Sequence, residues 1–368
     1  MLTANLVKEK ALNHGFDLAG ITNAEPLQEL AAILKDKEQK GKRTVFVTAG
    51  IKQRTEPKMY FVAAKSILML GLNYYFPSGT GESAGGKFAR YAWGEDYHLI
   101  FRDKLARLTA ELKQIEPLVE CKPFADTGPL VERELAKKAG LGFIGKNSTL
   151  INPELGSWIL LGGLALNWEL KADLPLEDNC GSCELCLRAC PSGAIERPYQ
   201  VESGRCLSYL TQKRTCLDIN ECRLLQNRIF GCDTCQEVCP INRKAAKITA
   251  ERRFWTKDHP SLTPEAILQL TKKEFEGKFA ETAISWVGIN PVKRNALIVL
   301  ANKKKAKALP YLISSLSEAS PLLRGQAALL LGAYQDKAAS AALGAALQRE
   351  KDSLVYSQIQ LSLQQMNE

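Results

Sequence analysis

Hydrophobic and polar positions follow two rhythms in the first 170 residues. Ser66–Tyr74 (SILMLGLNY) and Ser157–Leu166 (SWILLGGLAL) are short, nearly unbroken apolar runs, the pattern of buried strands. Tyr97–Ile115 and Pro129–Ala139 instead place apolar residues three and four apart, as amphipathic helices do. Their alternation predicts an α/β domain over residues 1–170. Pro77–Gly86 (PSGTGESAGG) reads as a loop. From about residue 251 to 368 the rhythm is helical throughout. There a 30-residue offset superposes Pro291 on Pro321, Arg294 on Arg324, Leu300 on Leu330 and Lys307 on Lys337. It predicts paired helices, Val292–Ala301 with Ala308–Leu316 and Leu322–Gly332 with Ala338–Leu347, either as short HEAT-like repeats or as a plain helical bundle. Residues 171–250 between them hold few large apolar side chains and ten of the eleven cysteines, the mark of a small module held by metal.

Composition excludes some classes. With 45% hydrophobic and 24% charged residues the chain is globular, not disordered. Its longest apolar stretch, around Trp158–Trp168, is far short of the roughly 20 residues that span a bilayer. The N-terminal stretch lacks a signal-peptide apolar core, which points to the cytoplasm. In a reducing compartment, clustered cysteines are read as metal ligands or redox centres. None of His14, His98 and His259 falls at zinc-ligand spacing from them. Charge is uneven: residues 241–368 hold 19 Lys+Arg against 11 Asp+Glu, or +8 of the total +9. Such an excess fits either a polyanionic partner or a solvated basic face.

The cysteines carry the sharpest signal. Cys180-x2-Cys183-x2-Cys186-x3-Cys190-Pro191 is the bacterial ferredoxin run, whose fourth cysteine serves the other cluster. The second run, Cys232-x2-Cys235-x3-Cys239-Pro240, lacks its first member, and Cys206 is the natural substitute. The spacing therefore assigns Cys180, Cys183, Cys186 and Cys239 to one 4Fe–4S cluster and Cys190, Cys206, Cys232 and Cys235 to a second. Soft thiolates hold iron in both oxidation states, so the module passes single electrons. Cys121, Cys216 and Cys222 fit neither run and read as incidental thiols.

Other motifs are instructive by failing. Gly140–Asn147 (GLGFIGKN) approaches a phosphate-binding loop, but Asn147 stands where a hydroxyl is needed and a helix precedes it, so nucleotide hydrolysis is rejected. Asp96-Tyr97-His98 begins like a corrinoid D-x-H-x-x-G motif but has Phe101 in place of the glycine, so His98 is not expected to ligate cobalt. Asp126-Thr127-Gly128-Pro129 reads on its own chemistry as a helix N-cap.

Taken together, Ala89–His98 (ARYAWGEDYH), Asp126–Pro129, Gly140–Ser148 (GLGFIGKNS), Cys206–Thr211 (CLSYLT), Asn227–Cys239 (NRIFGCDTCQEVC) and Arg294-Asn295-Ala296-Leu297 resemble the epoxyqueuosine reductases over nearly the whole chain. The resemblance implies a cobalamin- and iron–sulfur-dependent enzyme that reduces epoxyqueuosine to queuosine at the tRNA wobble position, the last step of queuosine formation. It implies three segments: a cobalamin-binding α/β domain at 1–170, a ferredoxin-like two-cluster module at 171–250, and HEAT-like repeats at 251–368. It implies that Asp126 is the proton donor, buried so that its pKa rises. Arg54, Tyr91, Tyr97, Asp126, Lys146, Asn147, Ser148 and Ser208 are the implied cobalamin contacts. The candidate tRNA contacts are Lys293, Arg294, Lys303, Lys304 and Lys305, then Arg214, Arg223 and Arg228 beside the cysteines. An external electron donor is required, and a monomer is expected. Two rival readings are a dehalogenase-like corrinoid enzyme acting on a small molecule and a non-catalytic iron–sulfur electron carrier.

Overall fold

A computed structural model of the chain describes residues 1–77, 85–177, 180–245, 247–255, 261–303, 305–334 and 336–367. The Pro77–Gly86 loop thus falls largely outside the described residues, as do His259 and Lys304. The chain divides into two compact units, each built from separated segments: 1–77, 95–204 and 233–255 in the first; 78–94, 205–232 and 256–368 in the second. Among the described residues no helix is long and apolar enough to cross a membrane.

The first unit is organised by a four-stranded sheet. Its strands are β1 (Leu18–Asn23), β2 (Ser66–Asn73), β3 (Cys121–Phe124) and β4 (Ile159–Leu166), in the order β1-β2-β4-β3. Both long strands arise where the apolar runs predict them. Every residue of β2 is buried, which explains its unbroken hydrophobicity. All neighbouring strands pair antiparallel, unlike the parallel sheet that a helix–strand alternation usually signals.

Helix α1 (Tyr97–Ile115) has the predicted bounds. Asp96 caps it by accepting the His98 amide, and Ile100, Phe101, Leu105, Leu108 and Leu112 form its buried stripe. A Cβ on Gly162 would lie 2.6 Å from the Phe101 ring, so this glycine lets α1 lie close to β4. That packing fixes the N-terminal end of α1, where Tyr97 and His98 stand. Helix α2 spans Glu132–Lys138 with Val131 at its N-cap. It therefore begins six residues after Asp126, correcting the N-cap reading of that residue. Asp126 instead occupies a left-handed turn, φ +52°, which a short polar side chain tolerates.

The second unit is helical. The expected helices appear as Ile289–Lys303, Lys305–Ser315, Pro321–Gly332 and Lys337–Leu347. A further one, Ser353–Asn367, was not foreseen. Leu297, Leu312, Leu331, Leu343 and Ile359 join one core across all five. Leu207, Leu210 and Leu225, from the helices Leu207–Gln212 and Ile219–Leu225, belong to the same core. The two arginines of the repeat are structural. Arg324 pairs with both carboxylate oxygens of Glu350, at 2.7 and 2.8 Å. Arg294 is completely buried and donates to the carbonyls of Leu210, Thr211, Lys213 and Thr215. This corrects its expected role as an RNA contact: a guanidinium enclosed by four carbonyls is not available to phosphate.

Candidate functional site: a thiol cavity and an imidazolium–carboxylate pair

Cys180, Cys183, Cys186 and Cys239 line a single cavity in the first unit, the set that the spacing assigns to one cluster. Burial raises the Cys186 pKa, and the facing Cys180 and Cys183 thiolates raise it further. Among the described residues no three Cys, His, Asp or Glu side chains converge on a point suited to one ion. Four thiols around a hollow instead fit a cubane, whose ligands are spread over four irons. Lys146 and Asn147 line this same cavity and are buried, while Ser148 turns through φ +61° beside them. The near-phosphate loop is thus a wall of the thiol cavity. For Cys190, burial opposes the thiolate but is outweighed by the Ser192 hydroxyl and the amides of Ile195, Ala194 and Ser192, and its pKa falls. Asn242 braces the segment after Cys239: it accepts from the Ser157 amide at 2.6 Å and donates to the Gln236 carbonyl at 2.8 Å.

At the N-terminal end of α1, still within the first unit, His98 stands between two carboxylates. Its Nδ1 is 2.7 Å from Asp96 Oδ1, and its Nε2 faces Asp126 Oδ2 at 3.4 Å without completing a good hydrogen bond. Its ring stacks on Tyr97 with centroids 4.1 Å apart, and the Tyr97 hydroxyl donates to Asp126 Oδ2 at 2.8 Å. Burial alone would lower the His98 pKa, but Asp126 and Asp96 outweigh it and raise it to about 9. The imidazole is therefore charged at neutral pH and has no lone pair for a metal. The departure from the corrinoid motif thus has a structural counterpart: both ring nitrogens of His98 face carboxylates.

Asp126 departs from expectation. Its side chain is 60% exposed, and its pKa is lowered: desolvation would raise it, but the facing His98 ring and the hydrogen bond from the Tyr97 hydroxyl prevail. The carboxylate is thus ionised and the proton resides on His98. Glu132, overlooked in the sequence, accepts the Asp126 amide and so holds the left-handed turn. Burial, reinforced by the Asp126 charge, raises the Glu132 pKa to about 8. An aspartate two residues before a histidine at a helix start was the available sequence signal for this array; nothing local marked Glu132.

Arg54 is half-buried in the first unit, and burial and the nearby Arg133 and Arg43 lower its pKa, a spot suited to an anion. In the second unit Gln212 donates to both the Tyr91 hydroxyl, at 3.4 Å, and the Ser208 hydroxyl, at 3.3 Å. Arg214 and Arg223 are exposed, as is Lys303; the Lys305 side chain, like Lys304, lies outside the described residues. Lys293 is largely buried and faces Glu318 at 3.7 Å. Arg228 is 8% exposed and donates to Cys232 Sγ, so it too is corrected as an RNA contact.

Thiols arranged for single-electron chemistry and a protonated imidazole beside a carboxylate place the protein among the iron–sulfur reductases. Residues 54–127 match the epoxyqueuosine reductase QueG family, and the chain belongs to it. Residues 179–242 match a 4Fe–4S double cluster binding domain and residues 290–364 match HEAT repeats. Epoxyqueuosine reductase of Bacillus anthracis is 35% identical over 365 residues, covering 95% of this chain and 94% of the relative. That of Bacillus subtilis is 36% identical over 371 residues, 97% of this chain and 94% of the relative. Among solved structures, an epoxyqueuosine reductase with an epoxyqueuosine-modified tRNA-Tyr stem loop superposes with TM-score 0.91 at 34% identity, covering 99% of this chain and 98% of that one. A Bacillus subtilis epoxyqueuosine reductase with its catalytic aspartate loop swung out of the active site gives TM-score 0.89 at 34% identity, with 98% of each chain covered.

Proposed function

We propose that this chain reduces epoxyqueuosine to queuosine in tRNA, with Asp126 and His98 delivering the proton to the departing oxygen. Turning an epoxide into an alkene breaks both C–O bonds, consumes two electrons and two protons, and releases water. Cobalamin, when bound, would supply a cobalt centre able to deliver electrons to carbon, and clusters held by the two cysteine sets would supply single electrons to it. What the chain must add is acid, because an alkoxide leaves poorly. The observation that carries this reading is the charged imidazole of His98 facing the ionised Asp126 carboxylate, 3.4 Å away. As charge builds on the departing oxygen it draws a proton through Asp126, and the His98 imidazolium replaces that proton. Tyr97 and Glu132 hold the carboxylate and its turn in place.

The clusters use the two cysteine sets given above, within the segmentation 1–170, 171–250 and 251–368. Arg54, Tyr91, Tyr97, Lys146, Asn147, Ser148 and Ser208 contact cobalamin, and Arg214, Arg223 and Lys303 contact tRNA phosphates. An external donor supplies the electrons. The test is incubation of anaerobically reconstituted protein with epoxyqueuosine-containing tRNA and mass analysis of the nucleosides. A nucleoside lighter by one oxygen is expected. Unchanged epoxyqueuosine with full iron and cobalamin loading would overturn the reading.

A further inference from the structure

Arg228 lies at the start of the strand Arg228–Phe230, four residues before Cys232, all within the second unit. Its guanidinium is fixed on one side by the Leu225 carbonyl, at 3.4 Å, and the Gln226 side-chain oxygen, at 3.0 Å. Leu225 ends the helix Ile219–Leu225, and Gln226 follows in a turn with φ +53° that brings its amide to the arginine. On the other edge Nε donates to Cys232 Sγ at 3.2 Å. The strand is itself tied down: Asn295 donates to the Ile229 carbonyl and to Thr211, both at 2.7 Å. An arginine this buried, held by acceptors on two sides and aimed at a sulfur, is not a solvated charge.

We propose that Arg228 tunes the cluster ligated by Cys232, raising its reduction potential and so making it an easier resting place for an incoming electron. The reading rests on Cys232 being a cluster ligand. Adding an electron to a cluster increases the negative charge on its sulfurs, and a charge-assisted donor stabilises the more negative state preferentially. The hydrogen bond therefore strengthens on reduction. Low exposure adds to this, because water does not screen the pair. Arg228 acts through the cysteine, so it is a positioning and tuning residue.

The experiment is an EPR-monitored redox titration of the reconstituted holoenzyme, comparing wild type with Arg228→Gln and Arg228→Lys. Iron analysis of the wild type tests the underlying reading separately: about eight irons per chain are expected for two cubanes. In Arg228→Gln one cluster should become about tenfold harder to reduce, a fall of about 59 mV for a one-electron couple, while the other keeps its midpoint. Arg228→Lys, which keeps the charge without the planar fork, should fall by less. If Arg228→Gln loses one cluster, the lysine variant decides: a midpoint below wild type supports the proposal and an unchanged one overturns it. Two unmoved midpoints in a fully loaded Arg228→Gln protein likewise overturn it.

Discussion

Replacing His98 with asparagine removes the group that holds the proton while keeping a polar side chain against Asp96. In the wild type the imidazole pKa of about 9 keeps nearly every molecule protonated at pH 7. Without it the proton must wait on Asp126 itself. At an ordinary aspartate pKa of about 3.9, on the order of one molecule in a thousand carries that proton at pH 7. Single-turnover reduction of an epoxyqueuosine stem loop should therefore fall about a thousandfold at pH 7, within the range expected for losing a general acid. The pH profiles should also differ in shape. The wild-type rate should be flat through neutrality and decline above about pH 9, where His98 loses its proton. The variant gains about tenfold for each pH unit of acidification, as the protonated fraction of Asp126 grows. Stability moves with the same proton. Raising the His98 pKa from 6.5 to about 9 corresponds to roughly 3 kcal/mol favouring the charged form, modestly screened because the side chain is only 30% exposed. That contribution is complete below pH 6.5 and is lost as pH rises through about 9, so the thermal-stability gap between wild type and variant should close over this interval. A variant with the wild-type rate and the same flat profile would refute the assignment of the proton to His98.

Asp126→Asn keeps the left-handed turn, which asparagine tolerates, so iron and cobalamin content should match wild type while turnover drops by about 10²–10⁴; full turnover in product analysis would make the residue purely structural. Cys206→Ala should lower iron from about eight to about four atoms per chain, and iron that stays near eight would sink the ligand assignment. Neutralising Arg214, Arg223 and Lys303 should flatten the salt dependence of tRNA binding by roughly 0.7–0.9 for each phosphate no longer paired with a cation, with cluster content unchanged. Identical slopes across a salt series would place the RNA elsewhere on the chain.

Features that depend on spacing and period were legible before any fold was known. Ferredoxin spacing named the four cysteines that the structure gathers around one cavity, because a short turn can aim thiols only at particular intervals. The apolar runs marked β2 and β4, and the three-to-four rhythm marked α1 and four helices of the repeat region, since burial on one or both faces writes itself locally. Charge was a poorer guide. Arg228 and Arg294 count toward a basic surface in the sequence, yet both are buried, one against a cysteine sulfur and the other inside a ring of carbonyls. Nothing near either residue announces partners as distant as Leu210 is from Arg294. Asp126 shows the same limit for acid–base chemistry. Its motif offered a cap or a buried acid, whereas its ionisation depends on Tyr97 and His98, nearly thirty residues earlier and brought alongside only when α1 packs on the sheet. A carboxylate's pKa is set by the charges and donors within a few ångströms of it, and only the tertiary fold decides which those are.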